Sequence, residues 1–546
     1  MYNYKILQRE NIDLKSFSKI TQTQLILLTS LFLVLFDNYA FFTNLIKVYP
    51  LSDNFGFVVS TVFVNFFFTV LLLSLVSTKW TIKPIVIIVL IVSSLTNYFM
   101  NAYHVVIDDS MIRNMMQTNI HESMDLLTFK QVLYFVFLGV LPSVYVYKVQ
   151  IVSRGFKSEL VSRLKLLTAA FVVIGGSIFL FSKYYTSFAR EHKPLRFTVN
   201  PTYWIYSTGK YIHKTFNSGP IIVKAIGTDA KIVNKADDNR SKLVIMVVGE
   251  AARADHFSLN GYQRDTNPLL ANDNIIDFPN MSSCGTSTAE SVPCMFSMYD
   301  RGDYSYKKGI TTENVLDVLK HTKDVAILWR DNNSDSKGVA LRVAYEDFKI
   351  PKNNSVCSEG ECRDIGMLKG LDQFIAKNKG KDILIVLHQM GNHGPAYFKR
   401  YPKAFEKFKP TCKTNQLEEC TKQEIVNAYD NAILYTDYFL DSVIKFLKKY
   451  DDRYDTAMIY MSDHGESLGE NGVYLHGLPY FMAPSAQTHI GAVMWFGKHM
   501  SKDINADALR ERSQKAYSQD NLFHTLLGIF NVHTKVYDPD MDMLKK

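Results

Sequence analysis

Five apolar runs, at roughly 23–46, 54–78, 84–103, 131–148 and 164–184, constrain this chain more than any other feature, because each is near the ~20 residues that a helix needs to cross a bilayer. Beyond residue 185 the sequence becomes an ordinary mixture of charged, polar and apolar residues. The 546 residues are therefore predicted to form a polytopic helical membrane domain over 1–184, an interfacial helix and linker over 185–240, and a soluble domain over 241–546. The first run is not a cleaved signal peptide: it is long, lacks a small-residue cleavage site, and four more runs follow.

Charge gives the orientation. Lys5, Arg9, Lys15, Lys19, Lys79, Lys83, Lys148, Arg154, Lys157, Arg163 and Lys165 fall in the N-terminal tail and the second and fourth connections, whereas the first and third hold only Lys47, Arg113 and Lys130. By the positive-inside rule the N-terminus is cytoplasmic and everything after residue 185 is external. Because much of the net charge of +8 flanks apolar segments, it does not point to nucleic acid. The six cysteines all lie in the second half, in closely spaced pairs, as disulfides in an oxidising compartment would. Zinc thiolate sites are the competing reading, but gaps of ten, five and eight positions do not resemble Cys-x-x-Cys knuckles.

In the external connection between the third and fourth runs, Asn114, Thr118 and Glu122 recur at i, i+4 and i+8, which aligns them on one face of a helix. A solvated face has the same pattern. From Tyr184 to Phe216 the chain is aromatic and basic, as suits headgroup level.

The soluble half reads as alternating strands and helices. Lys242 to Val248 is a β-branched run ending in Gly249-Glu250. Similar runs from Val325, Ile383 and Thr456 end in polar tips that contain Ser334 and Lys337, His388 to Gly394, and Asp463-His464. This pattern predicts an α/β domain with a mainly parallel sheet, whose ligands gather at the carboxyl ends of the strands. Between two of the runs lies Met281 to Ser297, rich in hydroxyls, with Cys284 and Cys294 bracketing Thr288 and with Pro293 suited to the first turn of a helix. Thr288 at that helix's N-terminus is either a capping residue or a nucleophile where an oxyanion is stabilised. Glu250, Asp463 and His464 are oxygen and nitrogen ligand types, and Thr288 would complete a tetrahedral zinc site in which the cation favours the alkoxide. His393 and His476 would form a second cationic or metal-binding feature facing the substrate. Glu466 and Glu470 read as helix-start or solvated residues.

Val-Val-Gly-Glu ending at Glu250, Asn260-Gly261-Tyr262, Cys-Gly-Thr-Ser-Thr-Ala from Cys284, Asp-Asn-Asn-Ser-Asp-Ser-Lys from Asp331, His-Gln-Met-Gly-Asn-His-Gly-Pro from His388 and Ser-Asp-His-Gly-Glu from Ser462 together resemble the phosphoethanolamine transferases of the lipid A group, which includes the mobile colistin-resistance enzymes. The resemblance covers essentially the whole chain. It implies five spans followed by a periplasmic domain of alkaline-phosphatase or sulfatase type, in the inner membrane of a Gram-negative bacterium. It implies Glu250, Thr288, Asp463 and His464 as zinc ligands, with Thr288 as the residue that becomes modified, one zinc ion and room for a second. It also implies His393, His476, Asn114, Thr118, Glu122, Ser334 and Lys337 as substrate-binding residues, and disulfides pairing Cys284 with Cys294, Cys357 with Cys362 and Cys412 with Cys420. Glu290 departs from the pattern, which has an aromatic or apolar residue there.

The implied reaction is a double displacement, from phosphatidylethanolamine to Thr288 and then to a lipid A phosphate, which would confer resistance to cationic peptides such as polymyxin. Another periplasmic acceptor (a core sugar, a glucan or a protein) and phosphoglycerol transfer are the alternatives. A sulfatase would need a Cys/Ser-x-Pro-x-Arg context, and none surrounds Thr288.

Overall fold

The structure, a computed structural model, describes residues 19–118, 120–152, 155–216, 221–233, 240–358 and 360–545, without the side chains of 120–122 and 216. Lys5, Arg9, Lys15 and Arg154 of the charge argument, and the side chain of Glu122, lie outside the described residues. The chain forms two compact units: one holds the residues up to Ala102 together with Phe129–Tyr206, the other Tyr103–Thr128 together with Ser207–Lys546.

In the first unit the apolar runs form α1 (Gln22–Phe36), α2 (Tyr39–Val48), α3 (Leu51–Val76) and α4 (Ile82–Ala102), and later Phe129–Lys148 and Phe156–Leu180. Four helices are long and apolar enough to span, and α1 with α2, bent by 57°, makes a fifth crossing if the pair is one span. The bend falls at Asp37-Asn38, where side-chain amides bond the carbonyls around the break: Asn97 Nδ2 donates to Phe36 O at 3.1 Å and Asn200 Nδ2 to Asp37 O at 3.2 Å, while Asn38 Nδ2 adds a second bond, at 2.9 Å, to Leu33 O, which already accepts from Asp37 N. Along α3 the buried residues include Ser60, Thr61, Asn65, Thr69 and Ser74, while Phe55, Phe63, Phe68 and Leu75 are exposed, as expected of a helix whose lipid face is its apolar face. The last apolar helix starts well before residue 164, because Phe156–Glu159 with an acid in the first turn is good helix sequence although too polar to register as a run.

The second unit begins with two short helices, α5 (Asp109–Gln117) and α6 (Ile120–Asp125). Thr118 closes α5 in an extended conformation (φ −71°, ψ 138°), so the i, i+4, i+8 face expected of Asn114, Thr118 and Glu122 is not continuous. Periodicity sees side-chain spacing but not a backbone break that a Thr accommodates, here with its Oγ1 donating to Asn114 O at 2.7 Å.

The rest of this unit is built on a seven-stranded sheet. Its strands are β1 (Lys242–Gly249), β2 (Ile276–Asp277), β3 (Val325–Asp331), β4 (Ala344–Asp347), β5 (Asp382–His388), β6 (Asp455–Ser462) and β7 (Ala492–Phe496), in the order β2-β7-β6-β1-β5-β3-β4. The five strands from β6 to β4 run parallel; β7 pairs antiparallel with β6, and β2 pairs antiparallel with β7. β1 is buried at every position, which is why its apolar residues are continuous rather than alternating. Register matters for function. Ser462 pairs with Gly249, and His388 pairs with Val248 and Asp331, so the tips of β1, β6, β5 and β3 end side by side. Gly249 is required there, because a Cβ would lie 2.5 Å from the Tyr460 ring. The two remaining apolar helices are α7 (Phe129–Lys148) and α8 (Phe156–Leu180); in the second unit α9 is Thr288–Met295 and α10 is Lys422–Lys448, opened by a Thr421/Glu424 capping box. All six cysteines are paired, 284 with 294, 357 with 362 and 412 with 420.

Candidate active site

The strand register delivers Glu250, Asp463 and His464 to one buried point beyond the sheet edge. His464 Nε2 lies 3.4 Å from Glu250 Oε1, from Asp463 Oδ2 and from Thr288 Oγ1, and Thr288 Oγ1 is 3.1 Å from Glu250 Oε2. Ligand atoms about 2.0–2.1 Å from one tetrahedral centre stand about 3.3–3.4 Å apart, so these spacings suit a divalent cation. The remaining hydrogen bonds agree. Glu250 Oε2 is held by Asn333 Nδ2 at 2.8 Å, and Asp463 Oδ1 accepts from Ala251 N at 3.1 Å and His464 N at 2.7 Å. Glu250 Oε1 and Asp463 Oδ2 are left buried without a hydrogen-bond donor. His464 Nδ1 donates to Gly465 O at 2.8 Å; a carbonyl only accepts, so the lone pair is on Nε2, toward the carboxylates. Burial pushes the Glu250 carboxyl well above the usual carboxylate range, with Asp463 and Glu466 adding to it, and burial lowers His464. A cation at this point would oppose the first effect.

Thr288 is the first residue of α9. Ser287, not Thr288, holds the N-cap position, in extended conformation and with no side-chain cap bond, which leaves the helix's first N–H groups available to an oxyanion. Pro293 lies inside the helix rather than in its first turn, since the extended Ser287 sets the start five residues earlier than a Pro at the opening position requires. The loop is fastened by the Cys284–Cys294 disulfide and by Gln519. Gln519 Nε2 donates to Ser462 O at 2.7 Å and Asp463 O at 2.8 Å, while its Oε1 accepts from Cys284 N at 2.7 Å and Ser291 Oγ at 3.2 Å. One side chain thus joins the Thr288 loop to the tip that carries two ligand-type residues. Glu290, two residues after Thr288, projects from the opposite side of the helix, and burial raises its carboxyl.

The His476 ring centroid is 4.2 Å from that of His464 and 5.8 Å from that of His393. Its Nδ1 is 3.3 Å from Glu466 Oε2. Burial lowers His476 to about 4 and His393 well below its ordinary value, so both imidazoles are neutral near pH 7. Neither Glu466 nor Glu470 matches the expected helix-start or solvated role. Glu466 is fully buried and raised by burial to about 8; Glu470 ends a short strand and accepts from Arg253 Nη1 at 2.5 Å. After Glu470, Asn471 and Gly472, with φ of 53° and 78°, turn the chain into a hairpin instead of a helix.

Asn114, Thr118, Ser334 and Lys337 form no hydrogen bond to the Glu250 cluster among the described residues. Ser334 Oγ donates to Asn333 Oδ1 at 3.0 Å, and Lys337 Nζ is 3.5 Å from Gln117 O at the end of α5. Asn333 and Gln519 escaped sequence reasoning, and Glu466 was given a different role there. Asn333 sits inside a motif already singled out and is an amide at a strand tip, which is a usable signal; Gln519 carries none.

A threonine at a helix N-terminus, facing two carboxylates and an imidazole at the carboxyl edge of a parallel sheet, defines a metal-dependent enzyme of the alkaline-phosphatase and sulfatase class. A sulfatase family model matches residues 242–532, and the family model for phosphoethanolamine transferase EptA/EptB matches residues 65–216. The chain is 44% identical over 513 residues to phosphatidylethanolamine transferase Mcr-1 of Escherichia coli, covering 92% of this chain and 94% of that one. It is 37% identical over 550 residues to phosphoethanolamine transferase EptA of Escherichia coli strain K12, covering 99% and 98%. The solved structure of the integral membrane lipooligosaccharide phosphoethanolamine transferase A (EptA) from Neisseria meningitidis superposes with a TM-score of 0.92 at 36% identity, over 97% of this chain and 99% of that one. The chain belongs to the lipid A phosphoethanolamine transferase family, and is a multi-pass membrane enzyme with a sulfatase-like domain.

Proposed function

We propose that the protein transfers phosphoethanolamine from phosphatidylethanolamine to a phosphate of lipid A by way of phosphorylated Thr288. The observation that carries this reading is the placement of Thr288 Oγ1 at the first turn of α9, 3.1 Å from Glu250 and 3.4 Å from His464. Glu250, Thr288, Asp463 and His464 would hold one zinc ion, which supplies Lewis-acid polarisation of a hydroxyl or a phosphoryl oxygen when bound. Thr288 Oγ1 attacks the donor phosphorus; its bond to that phosphorus forms as the bond to the glycerol oxygen breaks, and the proton lost by Thr288 balances the one gained by diacylglycerol. The N–H groups opening α9 face the charge that builds on the phosphoryl oxygens. His393 and His476, neutral and buried, offer ring nitrogens to the transferring group or to a second ion, while Asn114, Thr118, Glu122, Ser334 and Lys337 bind the donor. In the second half-reaction a lipid A phosphate oxygen displaces Thr288 from phosphorus.

The product carries an added ammonium group, which weakens attraction of cationic peptides such as polymyxin. The charge asymmetry of the connections supports an inner-membrane protein with a cytoplasmic N-terminus and a periplasmic catalytic domain, and the three disulfides are consistent with that compartment.

Incubating the protein with phosphatidylethanolamine and no acceptor should leave phosphoethanolamine on a peptide containing Thr288, and Thr288→Ala should lose both this adduct and lipid A modification in cells. Full activity in the alanine variant, or an adduct elsewhere, would overturn the assignment.

A further inference from the structure

Glu250, His464 and His476 each have a side-chain partner that orients them, but His393 does not: its Nδ1 is buried without a hydrogen-bond partner among the described residues. The ring therefore stands where its backbone is held. The His393 carbonyl accepts from Arg400 Nε at 2.7 Å, and the Arg400 side chain, 1% exposed, directs its other nitrogens at two carboxylates. Nη2 donates to Asp125 Oδ2 at 2.7 Å and Nη1 to Glu361 Oε2 at 2.9 Å. Asp125 ends α6 in the external connection, 275 residues before Arg400. It is buried, and its other oxygen accepts from Lys399 Nζ. Burial pushes its carboxyl up, yet Arg400 and Lys399 more than offset this and hold it below the usual carboxylate range, so it is ionised near pH 7. Asn415, in the loop closed by the Cys412–Cys420 disulfide, steadies the backbone there, with Nδ2 donating to Asp125 O at 2.7 Å and Leu127 O at 3.0 Å.

A buried guanidinium sits where its carboxylates place it, because the charge is too costly to leave unpaired. Without the Asp125 charge, Arg400 is drawn toward Glu361 alone, and the hydrogen bond from its Nε takes the His393 carbonyl with it. We infer that Asp125 is a positioning residue for the transfer reaction: by way of Arg400 it sets the His393 imidazole against that of His476, whose centroid is 5.8 Å away. An ion pair that only stabilised the fold would have no such link to one imidazole. The inference rests on the role given to His393 above.

The test is a double-mutant cycle in the full-length, zinc-loaded protein, read as transfer from phosphatidylethanolamine. Asp125→Asn, nearly isosteric but uncharged, should lower kcat about tenfold or more with the donor KM within about threefold, as misplacement of a group that acts on the transferring phosphoryl does. In a His393→Ala background the same substitution should change kcat by less than about twofold, because the side chain it positions is gone. Asn415→Ala leaves the ion pairs intact and only loosens the backbone at Asp125; it should show the same pattern with a loss of about threefold, and it keeps the inference testable if Asp125→Asn does not fold. A second readout is independent of activity: the ring carbon signal of isotope-labelled His393, identified by its loss in His393→Ala, should move in both variants. Equal losses in the two backgrounds, wild-type kcat in Asp125→Asn, or an unmoved ring signal would each overturn the positioning role. Where His393→Ala turns over too slowly to compare, the ring signal decides. Wild-type transfer by His393→Ala would instead refute the role of His393 on which the inference rests.

Discussion

Gln519→Leu tests whether the Thr288 loop and the Asp463-His464 strand tip are positioned by one side chain. The substitution preserves volume and removes four hydrogen bonds, two donated to Ser462 O and Asp463 O and two accepted from Cys284 N and Ser291 Oγ. Counting about 1–3 kcal/mol for the stranded buried N–H of Cys284 and about 0.5–1.5 kcal/mol for each of the others gives a loss of about 3–5 kcal/mol after partial relaxation. Catalysis should suffer separately. Cys284 is four residues from Thr288, and the Asp463 carbonyl belongs to a ligand-type residue, so a shift of about 1 Å between them would cost on the order of a hundredfold in rate. The assay is transfer from phosphatidylethanolamine by detergent-solubilised protein, with denaturant unfolding and bound-metal analysis on the same samples. Gln519→Glu keeps the acceptor for Cys284 N but faces two carbonyls with a carboxylate, and should be as inactive as the leucine variant while retaining more of the loop anchoring. Rates within threefold of wild type in Gln519→Leu, with unchanged unfolding, would refute the reasoning.

Removing metal with a strong chelator should abolish transfer and lower the unfolding midpoint, because the buried Glu250, Asp463 and Glu466 carboxyls then face one another without a cation; zinc should restore both, and a chelator-treated protein with unchanged activity would count against the site. Asp277, on edge strand β2, has its carboxyl raised by burial to about 7 and its Oδ1 without a donor. Its folded value lies above the unfolded one, so its contribution is intact below about pH 4 and is lost as pH rises through 7; Asp277→Asn should match wild type near pH 4 and be more stable by about 1–2 kcal/mol at pH 8, checked by denaturant unfolding at both.

Chemical type made much of the site legible. Glu250, Asp463 and His464 stand at the ends of runs that read as buried strands, and a strand tip in a parallel sheet is where ligands collect. What the sequence lacks is the sheet order: β1 and β6 are neighbours although more than two hundred residues separate them, and only that adjacency makes Glu250 and Asp463 a pair. Thr288 was readable as a helix opening because hydroxyls precede an apolar stretch, but Pro293 misled about where the helix begins. Gln519 was not legible at all, since a glutamine before a helix has no chemical mark and acquires its role from four partners in two distant segments. The helical face through Asn114 failed for another reason: a spacing of four describes a helix only while the backbone stays helical, and Thr118 ends it.

The charge inventory explains why these neighbours belong together. Glu250, Asp463 and Glu466 are buried within reach of one another, and the histidines between them are held neutral by burial. Carboxyl groups offer a phosphodiester anion no attraction, so the arrangement favours such a substrate only with a cation among them. With a divalent cation among the ligand atoms the sign reverses: the carboxylates become its ligands, the neutral imidazoles are free to offer lone pairs or N–H groups, and the α9 N-terminus adds its own positive end toward the phosphoryl oxygens. Arg400, whose charge adds to the lowering of His393, cannot take the metal's place, because its guanidinium is committed to Asp125 at 2.7 Å and Glu361 at 2.9 Å and its Nε to the His393 carbonyl at 2.7 Å. Under the proposed function, metal binding and donor binding would therefore be one electrostatic event in this site.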